Sequence, residues 1–221
     1  MPRPKLTLYL DIVSPFAYMA FHVTQNSPIF KQCDITYIPI FLGGLMKTCN
    51  NRPPIEIKNK DKWIETERHR WSTRFNIPMA PKTPSPFPQP TLACQRTLCA
   101  IAISHPAKLI PSFTALYTAF WAENTSPIGK PEVFQPLLAK VLGEEVAAEM
   151  VKKGGEAEAK GLLSKNTEDA FQAGAFGLPY FVAEDGEGRK EGFWGFDHLA
   201  AVIEALGLER GEGGVGFRAM L

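Results

Sequence analysis

Ser14 and Pro15 stand where an alternating apolar stretch, residues 6–10, gives way to a helical pattern. Ser14 offers a hydroxyl as helix N-cap. Pro15 suits the first helical turn, whose N–H groups have no intrahelical acceptor. A strand running straight into a helix leaves unpaired N–H groups and partial positive charge at the turn. Such a turn binds anions, a thiolate included. A plain strand-cap-helix junction needs the same residues, so the stretch alone does not separate capping from chemistry.

The elements that must hold this turn read off in chain order. A strand at about Lys5–Asp11 leads to a helix from Pro15 to about Gln25, with Phe16, Met19, Ala20 and Val23 on one face. Asp34–Ile40 reads as a second strand, ended by Pro39. A crossover helix makes these two strands parallel. Phe41–Lys60 reads as irregular, broken by Gly43-Gly44, Asn50-Asn51 and Pro53-Pro54. Asp61–Phe75 reads as an amphipathic helix, with Glu65, Glu67 and Arg68 on one exposed face and Trp63 and Trp71 packed inward. The prolines between 78 and 90 exclude regular structure and predict an extended segment over the surface, joining two lobes.

Helices dominate from there: Thr91–Ser104, with Thr91 as cap, then Pro111–Glu123, Pro131–Leu142, Glu144–Lys152 and Glu156–Ala173. Phe120 and Trp121 read as core. Leu178-Pro179 precedes a short strand, Tyr180–Ala183. A polar turn and a second strand, Lys190–Trp194, follow. Gly195-Phe196-Asp197-His198 opens a last helix running through Leu206, and the glycine-rich residues 207–217 read as loose.

The order is β-α-β, a block of helices, then α-β-β-α. Without the block the remainder is a thioredoxin-like domain, an α/β fold whose active centre lies at the N-terminus of its first helix. We expect that domain at residues 1–60 and 156–221 and an all-helical insertion at 61–155. The fold places a cis-proline before its third strand, where Leu178-Pro179 falls, and X–Pro bonds reach cis at a cost of only about 0.5–1 kcal/mol. The Leu178 backbone is then expected to face Ser14 and to bind an extended peptide as an added strand does. Thiol–disulfide oxidoreductases on this fold need an attacking and a resolving cysteine, and here Ser14 and Ala17 hold those places. The reactive sulfur is expected to arrive with a ligand.

Bulk properties narrow the partners. The 221 residues carry a formal net charge of +1 with no long basic run, which gives no electrostatic reason for a nucleic-acid partner. No apolar run reaches the roughly 18 residues a membrane span needs. Cys33, Cys49, Cys94 and Cys99 show no C-x-x-C spacing and read as reduced thiols of an intracellular, cytoplasmic protein. The ending Arg218-Ala219-Met220-Leu221 resembles a peroxisomal signal only loosely, leaving peroxisome or mitochondrion as minor readings. His22, His69 and His105 have no metal-ligand spacing, and no metal is expected.

Three segments together resemble a known family: Asp11-x-x-Ser14-Pro15-Phe16; Gly44-Leu45-Met46-Lys47 with Asn51-Arg52-Pro53-Pro54; and Gly174-Ala175-Phe176-Gly177-Leu178-Pro179. They are similar to the kappa-class glutathione transferases and to bacterial 2-hydroxychromene-2-carboxylate isomerases, over nearly the whole chain. The resemblance implies a glutathione site. Ser14 matches the serine that donates a hydrogen bond to the glutathione sulfur. Asn51 and Lys60 match a loop that closes over the tripeptide. Leu178, followed by Pro179, matches the residue that pairs its backbone with the cysteinyl part. Asp197 matches the acid that holds the γ-glutamyl amine. Phe196 and His198 stand where the family usually has serine and arginine, so the γ-glutamyl end of the pocket departs from the pattern. A homodimer is also implied.

A free thiol has a pKa near 8.5 and is mostly protonated at neutral pH. A helix N-terminus and one hydroxyl hydrogen bond lower it by about one to two units. The expected activity is therefore glutathione transfer: the bound thiolate attacks a small apolar electrophile held between the lobes. Two alternatives stay open. One is a glutathione-dependent isomerase of the hydroxychromene-carboxylate type, which would regenerate the thiol. The other is a glutathione-binding protein without turnover.

Overall fold

The structure, a computed structural model, describes residues 2–211 and Phe217. The expected peroxisome-like ending at Arg218–Leu221 lies outside the described residues, as do residues 212–216 of the loose segment expected at 207–217.

Strand β1 (Lys5–Leu10) turns Leu6, Leu8 and Leu10 wholly into the interior, as a period of two demands. Helix α1 (Pro15–Asn26) follows, then strand β2 (Asp34–Pro39), parallel to β1 from Lys5↔Asp34 to Leu10↔Pro39. A helix, α2 (Leu42–Thr48), occupies part of the stretch expected to be irregular. Its Gly43-Gly44 pair is no breaker, because the Phe41 ring packs over it. A Cβ at Gly43 would lie 2.9 Å from Phe41 Cζ. The two glycines admit that ring rather than ending the helix.

Helix α3 (Lys60–Arg74) is next, and residues 75–91 then run without helix or strand. Tyr18 donates to Pro78 O at 2.8 Å and Ala80 N–H to Trp121 O at 2.7 Å, which pins this segment on both sides. The charged face expected on α3 is not exposed: Arg68 is fully buried and Glu67 nearly so. Arg68 donates to Glu65 at 2.5 and 3.1 Å and to Ala80 O at 2.6 Å, so its guanidinium clamps the proline-rich segment onto α3. Trp63, expected inside, is 56% exposed.

Helices α4 (Leu92–Ser104), α5 (Leu109–Tyr117), α6 (Pro131–Leu142), α7 (Glu144–Gly154) and α8 (Ala157–Gln172) follow. A π-helical turn, Thr118–Ala122, extends α5 and carries the buried Phe120 and Trp121. Strands β3 (Tyr180–Glu184) and β4 (Lys190–Trp194) form a hairpin whose turn is held by Asp185, which accepts from Glu187 N–H and Arg189 N–H. A 3-10 turn, Phe196–His198, leads into α9 (Leu199–Ala205).

The sheet order is β2-β1-β3-β4, with β3 antiparallel to both neighbours. This is a thioredoxin-like α/β fold with the helices α3–α8 inserted between β2 and β3. Its buried apolar residues form one continuous cluster from sheet to insertion. Between α1 and α5 the link is aromatic: Phe21 lies against Phe113 and Tyr117, and Tyr18 against Tyr117, with ring centroids 5.4–5.7 Å apart.

Candidate active site at the start of the first helix

Ser14 is the N-cap of α1, with extended backbone angles and a side-chain oxygen that accepts from Ala17 N–H at 3.2 Å. It is 6% exposed. Accepting that bond uses a lone pair and leaves the hydroxyl proton available to a ligand. Pro15 has no N–H to satisfy, so the first turn of α1 offers its remaining donors at one mouth.

Antiparallel pairing of Tyr9 with Tyr180 puts the end of β1 and the start of β3 at the same end of the sheet. Leu178-Pro179, whose peptide bond is cis, therefore flanks the loop that carries Ser14. Leu178 engages neither its N–H nor its C=O in a backbone hydrogen bond among the described residues. Pro179 O accepts from Gly195 N–H at 3.0 Å, which ties this loop to the turn bearing Asp197. Asn51, just past α2, reaches the same loop, its side-chain amide donating to Phe176 O at 2.8 Å. The chain thus brings Asn51 together with 174–179, and 179 together with 195–198.

The other expected residues lie differently. Asp197 and His198 are exposed, with Oδ1 and Nδ1 3.6 Å apart. The Phe196 ring turns the opposite way, 1% exposed and edge-on to Trp71 and Phe75 at 5.7 and 5.4 Å. It packs the core. Lys60 opens α3 and is exposed.

A second set of residues lies directly beneath Ser14, and sequence reasoning gave it no role. Asp11 is fully buried at the end of β1. Its carboxylate accepts from Thr91 Oγ1 at 2.6 Å, Leu42 N–H at 2.9 Å and Val13 N–H at 3.1 Å. Its backbone carbonyl accepts from Ser14 N–H and from Tyr117 OH, both at 3.1 Å. Trp121 Nε1 donates to Ile12 O at 2.9 Å, and Gln95 Nε2 bridges Leu10 O and Ile40 O. Thr91, expected to cap α4, spends its hydroxyl on Asp11 instead.

Burial pushes the Asp11 carboxyl up to about 6. The hydrogen bonds from Thr91 and from the Leu42, Val13 and Ile12 amides pull the other way, and no cation is among the opposing groups. The buried Tyr117 phenol and Cys94 thiol are both pushed up, by burial first and by the Asp11 charge second. The signal in sequence is a carboxylate ending an otherwise apolar strand three residues before the cap.

Comparison with known proteins follows these lines. Glutathione S-transferase kappa 1 of Caenorhabditis elegans is 25% identical over 213 residues, covering 93% of this chain and 92% of that protein. The 2-hydroxychromene-2-carboxylate isomerase of Sphingobium xenophagum is 26% identical over 197 residues, covering 88% and 93%. A solved structure of a 2-hydroxychromene-2-carboxylate isomerase shares the fold with a TM-score of 0.74 at 20% identity, over 92% of this chain and 94% of that one. The model of the DSBA-like thioredoxin domain matches residues 5–207, a span holding all four strands, the inserted helices and the Ser14 turn, and the chain belongs to that family.

Proposed function

We propose that this protein is a kappa-like glutathione transferase. The observation that carries the reading is the Ser14 hydroxyl at the N-terminus of α1, with its proton unspent and no thiol at position 14 or 17. A serine here cannot exchange disulfides. It can donate to a sulfur that a ligand brings, while the helix N-terminus favours the charged form of that sulfur. Glutathione is the thiol named in a relative that spans this chain. Its cysteinyl amide and carbonyl suit the two unpaired backbone groups of Leu178. The thiolate then attacks an electrophilic carbon, a bond forms from sulfur to carbon, and the leaving group departs with its electron pair.

The test is a titration of bound glutathione by thiolate absorbance against pH, in wild type and in Ser14→Ala. The expected result is a bound thiol pKa about one to two units below 8.5, and a return of about one unit toward that value in the variant. Absence of binding, or an unshifted thiol, defeats the reading. A second reading, glutathione-dependent isomerisation, is favoured by the hydroxychromene-carboxylate isomerase among the relatives. The two part on stoichiometry: a transferase consumes glutathione and an isomerase returns it.

A further inference from the structure

Past the last helix, residues 209 and 217 are both fastened to one short 3-10 turn, Pro28–Gln32. Gln32 donates its side-chain amide to Glu209 O at 2.8 Å and accepts from Glu209 N–H at 3.1 Å. Phe217 is buried, its ring against Phe30 of that turn at 6.2 Å between centroids and against Phe75, at the end of α3, at 5.1 Å. From Phe75 the aromatic contacts lead to the candidate site. Phe75 and Trp71 both meet the buried ring of Phe196, which opens the turn carrying the exposed Asp197. Between β4 and that turn stands Gly195, with φ of 100°, a swivel that only a residue without Cβ adopts freely. Beyond the swivel, the Phe196 ring is what anchors the turn, and the ring rests on a cluster that Phe217 completes.

We propose that Phe217 is a positioning residue: by filling the aromatic pocket behind Phe196 it fixes where the Asp197 carboxylate stands, and so how tightly the γ-glutamyl end of glutathione is held. This rests on the glutathione reading, with Asp197 meeting the γ-glutamyl amine. Close-packed rings have no slack, so a void at position 217 is relieved by a shift of Phe75 and then of Phe196. The Ser14 turn is held from elsewhere, by Gln95, Tyr117 and Trp121 of the insertion. Loss of the Phe217 ring therefore weakens one end of the ligand and leaves the ionisation of its thiol alone.

The experiment measures binding by titration calorimetry for glutathione and for cysteinylglycine, which carries the same thiol and lacks the γ-glutamyl group. Phe217→Ala is expected to weaken glutathione about fivefold and to leave cysteinylglycine within about 1.5-fold, with kcat and the bound thiol pKa unmoved. Phe217→Leu keeps most of the apolar volume and should lose about twofold, on glutathione alone. Where the alanine variant does not fold, the leucine variant decides by the same contrast. In an Asp197→Asn background the effect of the substitution at 217 should vanish, because the charge it places is gone. Equal weakening of both thiols, no weakening of either, or a loss that persists in Asp197→Asn overturns this inference and leaves the glutathione reading standing. Failure of the wild type to bind glutathione overturns both.

Discussion

A single oxygen at Ser14 can serve two ends: it accepts from Ala17 N–H within the protein, which leaves its proton free for a ligand. Capping and activation are thus compatible at one residue. Asn51 acts differently. It is exposed, yet its amide donates to Phe176 O and its side-chain oxygen accepts from Arg52 N–H, so it fastens the loop preceding Leu178. Asn51→Ala should raise the KM for glutathione several-fold with kcat nearly unchanged. Its effect on stability should stay near 1 kcal/mol, as for one exposed hydrogen bond. Steady-state kinetics beside thermal melts checks this, and a fall in kcat with constant KM would count against a binding role. Ser14 and Leu178 were legible in the sequence because cap and X–Pro chemistry have local signatures. Asp11 was legible only as a letter of a motif. Its burial depends on Thr91 and Leu42, 80 and 31 residues away, and no local pattern announces such a meeting.

At the scale of elements, the strands and the order of helices follow from periodicity, while helix α2 and the buried face of α3 escaped their local signals. Helix α2 was hidden by a glycine pair that serves an aromatic neighbour. On α3, a run of charges suggested solvent, but Arg68 turns inward because the proline-rich segment offers it carbonyls that its own N–H-poor backbone leaves unused. Replacing Arg68 by Met removes the donor to the Ala80 carbonyl and leaves Glu65 with Thr83 and His69 alone. The expected loss is about 3–5 kcal/mol, or roughly 10 °C in Tm. Conversely, Glu65→Gln keeps a hydrogen-bonding partner and should cost clearly less. A loss in Arg68→Met as small as that in Glu65→Gln would show that the guanidinium's hydrogen bonds to the proline-rich segment contribute little. Gly154 tests the contact of α7 with α4. A Cβ there would lie 2.9–3.1 Å from Thr97 side chain and backbone, so Gly154→Ala should destabilise by about 1–3 kcal/mol in urea unfolding.

For the molecule as a whole, one buried acid sets a pH dependence. Asp11 titrates at about 6 in the folded chain and near 3.9 when unfolded, so the folded state holds the proton more tightly. Its contribution to stability is full below about pH 4, declines as pH rises to about 6, and is flat beyond. The stability gap between Asp11→Asn and wild type should therefore move in the variant's favour by about 2 kcal/mol between pH 4 and pH 7. A gap that stays constant across that window would mean that burial does not raise the Asp11 carboxyl above its unfolded value.

The insertion grips the Ser14 loop through main-chain carbonyls: Gln95 at Leu10 and Ile40, Tyr117 at Asp11, Trp121 at Ile12. Carbonyls are the same whatever residue carries them. Apart from the Asp11 carboxylate, which Thr91 holds, these contacts do not depend on side chains along the loop, and none of them falls on the side chain at position 14. A serine becoming a cysteine there changes the reaction while the scaffold stays as it is. On the proposed reading, a single substitution at position 14 would exchange a turn that takes its sulfur from a ligand for one that carries a thiol of its own.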